Sequence, residues 1–304
     1  MQGTSKKKLW KKDYTYFLLF TGLALVGFLL FYLYPIIRTL LLSFTDKTIF
    51  ALSYDFKGFE NYIYALTKDT LFWQSIKQSF IYAFFSGIAV LITSMVLALL
   101  LSSKVRGIGF FKTVYMLPFI IPSFAVGAVY KNLFNPYNGF VNEILRLFGV
   151  KNLPLWYAGP DTALLTMIII SSFGFGVKML VFLAAIQGVS KEYYEAAMVM
   201  GASKWRRFVS ITLPLISPML FFNVILITID GLKSFNLAFV MGNGDGWPSN
   251  STLLFPIYMF KTAFNSPFRL GYASAMAYIF FLIILALTGI QFLLSRFYVE
   301  KDVS

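Results

Sequence analysis

The segment Glu195-Ala196-Ala197-Met198-Val199-Met200-Gly201-Ala202-Ser203-Lys204-Trp205-Arg206-Arg207-Phe208-Val209-Ser210-Ile211-Thr212-Leu213-Pro214 is a polar, basic island between two apolar runs, residues 162–186 and 215–240. A bilayer core of roughly 30 Å takes about 20 apolar residues as helix, so each flanking run is long enough to cross one. Four further runs of this kind lie at residues 16–42, 79–101, 113–134 and 270–294. All six are continuous rather than alternating with period two, which excludes a transmembrane barrel. The expected fold is therefore all-α: an integral membrane protein of six spans, residues 14–299, with a loop over 187–214.

Composition agrees. Of 304 residues, 58% are hydrophobic, 19% aromatic and only 13% charged, too little polar surface to coat a soluble globule of this size. The chain has no Cys and no His, which removes disulfides, thiol chemistry, Cys/His metal clusters and His-based acid–base catalysis. No catalytic residue, bound metal or cofactor is expected in it. The net charge of +13 is distributed among segments that flank the apolar runs, so lipid headgroups are the expected partner of these cations rather than nucleic acid.

Charge also sets direction. With the N-terminus inside, fourteen Lys and Arg fall on the inner side, against eleven spread over longer outer segments, and Lys178 is left within a span. By the positive-inside rule, the basic tail 1–13, the 187–214 loop and the C-terminus 300–304 are expected in the cytoplasm. The first run is too long for a signal peptide and is read as a retained span. In the outer segment 135–161, Val141, Ile144, Leu145 and Phe148 fall at helical spacing opposite Asn142, Glu143 and Arg146. That pattern predicts an amphipathic helix packed over the bundle, or else lying on the outer surface. Residues 241–250 contain Gly242, Gly244, Gly246 and Pro248 and read as a tight loop.

From charge alone the 195–214 loop is an ordinary amphipathic connector. Its spacing says more. Glu195-Ala196-Ala197 favours helix, Gly201 permits a sharp turn, and Pro214 sits where a new helix can begin. The pattern Glu-Ala-Ala, three residues, Gly, nine residues, Ile, one residue, Leu-Pro resembles the cytoplasmic signature loop of permease subunits of ATP-binding-cassette (ABC) importers. The resemblance extends over most of the chain. Tyr34-Pro35, Ser43-Phe44, residues 56–62, Leu117-Pro118, Ile121-Pro122 and residues 271–275 look like carbohydrate-uptake permeases of the maltose and glycerol-phosphate type. One departure is Gly242-Asn243-Gly244-Asp245-Gly246-Trp247-Pro248, where the family often has Thr-x-Gly-Gly-Pro.

The resemblance implies that Glu195, Ala196, Ala197 and Gly201, with Lys204 and Arg206 beside them, dock on an ATPase. It further implies a heterodimer with a second homologous permease, two ATPase subunits that bind ATP and Mg, and an extracytoplasmic solute-binding protein, in the cytoplasmic membrane of a prokaryote. The chain has no Gly-x4-Gly-Lys-Ser/Thr phosphate-binding pattern, so the ATPase must be separate.

Charged groups within spans cost about 2.5–3.5 kcal/mol on insertion scales, and Lys178 and Asp230 are the two to explain. Counted along straight helices they stand at different depths, about 12 and 22 Å from the inner ends, so no direct pair is expected unless a span is broken. Lys178 can snorkel to inner headgroups, and Asp230-Gly231 can mark a local kink. The alternative is a polar sugar-binding cavity formed by Ser171, Ser172, Phe173, Gly174 and Lys178 on the fourth run with Asp230, Lys233, Ser234 and Asn236 on the fifth. These positions also fall where the resemblance places sugar contacts, and the two lysines would suit an acidic sugar. Pro118, Pro122, Pro214 and Pro218 read as kinks or helix breaks. The resulting expectation is half of an ATP-driven path for a carbohydrate, an oligosaccharide. The alternatives are a permease for another solute, such as a glycerol-phosphate diester, and an ion-coupled secondary transporter.

Overall fold

The computed structural model describes residues 17, 20–102 and 107–296; the basic tail and the C-terminal residues 297–304 lie outside that set. Among the described residues the fold is helical, its only extended pairing a single bridge between Thr45 and Phe56. The chain divides into two compact units, one reaching to Thr67 and including Thr262–Ile279, the other Lys68–Lys261 with the chain from Phe280 onward.

The first unit contains α1 (Phe20–Ser43), long and apolar enough to cross a membrane and without buried residues over its most apolar window, and α2 (Glu60–Thr67). Between them the chain folds around Phe44, whose ring meets those of Phe56, Phe59 and Tyr62 at 6.3, 5.3 and 5.4 Å. Asn61 donates to the carbonyls of Ser43 and Thr45 at 2.9 and 2.8 Å. In the same loop Asp46 accepts from the Asp55 N–H, which holds its carboxyl below the ordinary range. The Gly271 N–H donates to the Lys47 carbonyl at 2.8 Å, and a Cβ on Gly271 would lie 2.1 Å from the Thr45 carbonyl oxygen. The 43–62 and 271–275 motifs, far apart in sequence, are thus two sides of one junction.

The second unit is organised by α3 (Thr70–Ser102), a helix of 33 residues. Its buried positions include Ser75, Ser79, Ala83, Ser86, Ser94 and Ala98, small residues three, four or eight apart. Hydrophobic driving force is weak between helices in lipid, and such a stripe lets backbones approach closely enough for dispersion to hold them. It is followed by α4 (Ile108–Ile120), α5 (Ser123–Leu133), α6 (Phe140–Leu147), α7 (Pro160–Ser171) and α8 (Gly176–Gly188). The signature segment forms α9 (Lys191–Val199) and α10 (Lys204–Arg207), and then come α11 (Ser217–Leu232), α12 (Asn236–Met241), α13 (Phe255–Phe264) and α14 (Leu270–Ser295).

Four helical runs among the described residues meet the length and hydropathy of a span: α1, α3, Ser217–Met241 and α14. The expected fourth run is a bent pair, α7 and α8, turned by 42° at residues 172–175. The expected third run is also two pieces, because Ile121 and Pro122 are extended and end α4 before α5 begins. Pro122 thus acts as the expected break, and Pro218 stands in the first turn of α11. Gly231 stands in the last turn of α11, which ends at Leu232. Its missing Cβ admits Ala83 of α3, which a methyl would meet at 3.0 Å.

The expected amphipathic helix exists as α6, but its sides are not those anticipated. Asn142, assigned to the polar face, is fully buried; its amide donates to the Pro136 carbonyl at 2.8 Å and accepts from the Trp156 indole at 2.6 Å. Ile144 and Phe148 are exposed. A side chain with both donor and acceptor can tie a loop together from inside, which periodicity does not register. Residues 241–250 are a tight loop as expected, with Gly244 and Gly246 at φ of 78° and 89°. We expect Gly271→Ala to destabilise the first unit by about 1–3 kcal/mol through overpacking against Thr45, measurable as a lower melting midpoint in detergent.

Candidate functional site

Two regions of the second unit carry the residues singled out by sequence. The first surrounds the break between α7 and α8. At Ser171 the α7 ladder ends, and Ser172, Phe173 and Gly174 are held by turn hydrogen bonds to Ile169, Ile170 and Ser171. The Ser172 carbonyl accepts from Thr93 of α3 at 3.0 Å. Irregular backbone at membrane depth survives where protein or a water-filled cavity satisfies it. A cavity of about 570 Å3 adjoins the break, lined by Ser171, Phe173 and Gly174 together with Asp230 and Ser234 from the α11 side.

Three tyrosines complete that cavity, Tyr82 of α3, Tyr115 of α4 and Tyr130 of α5, along with Ser123. Tyr130 stacks on Phe173 at 5.6 Å and 28°. None of these four was among the sequence candidates. The available signal was a phenol inside an apolar run, since a tyrosine hydroxyl at that depth needs a partner. Ser234 supplies one, donating to the Tyr82 hydroxyl at 3.4 Å.

Lys178 and Asp230 are joined: Nζ donates to Oδ2 at 2.6 Å. The condition set by the sequence, a broken span, is met. The break is not what joins them, since Lys178 and the inner end of the run lie on the same helix α8; the Asn223 amide of α11 donates to the Lys178 carbonyl at 3.3 Å, so Lys178 is level with Asn223 and its long side chain reaches along α11 to Asp230. Lys178 is largely covered while the Asp230 side chain is 61% exposed, and both line a smaller pocket of about 120 Å3 beside the main cavity. The pair costs less within the span than either charge alone. The remaining candidates fall outside the lining. Ser172 turns its hydroxyl back to the Ile169 carbonyl. Lys233 caps α11 and is exposed, and Asn236 reaches the edge of the cavity only through its amide, which donates to Ser123.

The second region is the 190–215 loop. Ser190 and Ser203 cap α9 and α10 by accepting from the Glu192 and Arg206 amides at 3.4 and 3.2 Å. The C-terminus of α9 is a Schellman cap, with Gly201 N–H donating to Met198 and Ala202 N–H to Ala197, at 3.0 and 2.9 Å. Gly201 has φ of 76°, and a Cβ there would meet nothing within 4 Å, so glycine is required for its backbone alone. Ala197 is buried, whereas Glu195, Ala196, Lys204 and Arg206 are exposed. Tyr194 shares a hydrogen bond with Thr212 at 2.9 Å and fastens the knob to the segment leading into α11. That segment is a wide π turn, Phe208–Thr212, and a single helical turn, Leu213–Leu215, which contains Pro214.

A bent, apolar helix pair beside a cavity that carries hydroxyls and a carboxylate, with a capped, exposed knob after it, is the frame of a helical membrane protein. Residues 90–299 match the family of binding-protein-dependent transport system inner membrane components, and the chain belongs to that family. Its relatives include the probable ABC transporter permease protein YesP of Bacillus subtilis (strain 168), 36% identical over 279 residues, covering 91% of this chain and 89% of that one. The lactose transport system permease protein LacF of Rhizobium radiobacter is 31% identical over 283 residues, covering 91% and 93%. The fold is shared with a chain of a bacterial alginate ABC transporter solved with an alginate pentasaccharide-bound periplasmic protein, at a TM-score of 0.77, 21% identity and 95% and 97% coverage.

Two outcomes follow from this geometry. Replacing Gly201 by Ala should cost about 1–2 kcal/mol from the left-handed backbone without any clash, seen as a lower melting midpoint in detergent. Lys178→Met and Asp230→Asn should each impair transport. The exchange Lys178→Asp with Asp230→Lys should recover part of the loss, a coupling of about 0.5–3 kcal/mol by double-mutant cycle.

Proposed function

We propose that this chain is one of two permease subunits of an ATP-driven importer that carries an oligosaccharide across the cytoplasmic membrane of a prokaryote. On this reading both termini and the 195–214 knob face the cytoplasm. The observation that carries the proposal is the cavity beside the α7–α8 break, where aromatic faces, hydroxyls and a carboxylate converge. Sugars present apolar ring faces and equatorial hydroxyls, which is the complement of Tyr130, Phe173, Ser171 and Asp230. Membership of a binding-protein-dependent family supports delivery by an extracytoplasmic solute-binding protein, and the naming of a relative for lactose supports sugar as the solute.

Charge bears on which sugar. Lys178 is engaged by Asp230, and among the described residues no Lys or Arg lines the main cavity. A uronate oligomer would therefore compete with Asp230 for Lys178 or take its cation from the second permease, whereas a neutral oligosaccharide would leave the pair intact. The knob supports coupling by its shape. Glu195 and Ala196 are exposed on a helix capped at both ends, a contact rigid enough for a partner ATPase to push against.

Two measurements test this. ATPase activity of the assembled complex with its binding protein should rise with a neutral or acidic oligosaccharide, and silence toward all sugars would refute sugar import. Glu195→Lys should leave membrane insertion intact while abolishing assembly or substrate-stimulated ATP hydrolysis; undiminished stimulation would refute the role of the knob. Transport by the chain alone in liposomes under an ion gradient would establish the secondary-transporter alternative.

A further inference from the structure

We propose that the second unit binds an anionic glycerophospholipid beside the 195–214 loop, the acyl chain in an apolar groove and the phosphate in an adjoining basic cavity. The groove, about 780 Å3, runs between α3, through Leu91, Met95 and Val96, and the start of the next span, through Leu213 and Leu220. Lys204 and Trp205 also line it. The cavity, about 550 Å3, is lined by Lys191, Lys204 and Arg207 and by the hydroxyl-bearing Ser102, Tyr194 and Thr212. Leu99, Lys204 and Phe208 line both spaces, so the two are neighbours sharing one wall.

Among the described residues, no carboxylate lines either space. Among the described residues, none of the ion pairs involves Lys191, Lys204 or Arg207. The Arg207 Nε is buried without a hydrogen-bond partner, a donor that is costly to leave unmade. Arg207, with its buried orphan donor, and the two exposed lysines that line the same cavity are together suited to an anion. The apolar groove against the same wall calls for a chain of methylenes. An apolar helix laid in the groove would leave the cations unanswered, and an acidic side chain in the cavity would leave the groove empty. A phospholipid answers both, and Trp205, 72% exposed, is the residue type found at headgroup level.

The test is native mass spectrometry of the assembled, delipidated complex titrated with phosphatidylglycerol, phosphatidylcholine or glycerol 3-phosphate. Phosphatidylglycerol should be retained in preference to phosphatidylcholine, and glycerol 3-phosphate should bind far more weakly than the intact lipid. Arg207→Gln should weaken phosphatidylglycerol binding about fivefold, with Arg207→Lys restoring most of it. Val96→Trp, which fills the groove, should weaken the lipid while leaving the response to glycerol 3-phosphate unchanged. Equal retention of the two lipids, or undiminished binding by both Arg207→Gln and Val96→Trp, would overturn the proposal. So would glycerol 3-phosphate binding as tightly as the lipid, which marks a free-anion site. A photocrosslinker at Met95 that captures the second permease or an ATPase instead of lipid would overturn it as well.

Discussion

Within a bilayer every backbone N–H and C=O has to find its partner inside the protein, and the candidate cavity of the second unit lies where one apolar run departs from a continuous helix. The α7–α8 break frees carbonyls and amides at membrane depth. They are absorbed by local turns and by Thr93, and the remaining space is the cavity. On α8, just past that turn, the Lys178 side chain reaches along α11 to pair with Asp230.

Helix α3 makes this break tolerable. Its stripe of serines and alanines lets α8 and α11 come close enough for backbone-level contact, as Ala83 does with Gly231 and Ile227 with Gly87. The serines have second uses. Ser79 accepts from the Phe255 amide at 2.7 Å, satisfying a donor at the start of α13. Packing in lipid and polar satisfaction are met here by the same small side chains, which is why a helix so apolar on average still buries hydroxyls.

Much of this was legible in the chain. Runs of apolar residues gave the helical class, and the Glu195 to Pro214 spacing gave the knob with its left-handed Gly201, because both depend on local chemistry. What stayed hidden depends on bends. The pieces on either side of residues 172–175 read as a single span, since hydropathy averages across a break of a few residues, whereas Pro122 marked its own break. Tyr82, Tyr115 and Tyr130 were then invisible as a group, being brought together only once those helices had bent. Asn142 illustrates the converse limit, since a buried amide that ties Pro136 to Trp156 has the same hydropathy as one in water.

The knob's construction has a mechanical consequence. Its helices are closed by serine caps and a Schellman turn, and Tyr194 clamps it to Thr212. Thr212 closes the π turn Phe208–Thr212, so the clamp bridges that turn and the single turn at Leu213–Leu215 lies beyond it. In a series of stiff and compliant elements, displacement collects in the compliant one. Load applied at Glu195 would therefore pass through the clamp to Thr212, and bending would collect between Leu213 and Ile216, a pivot at the foot of α11.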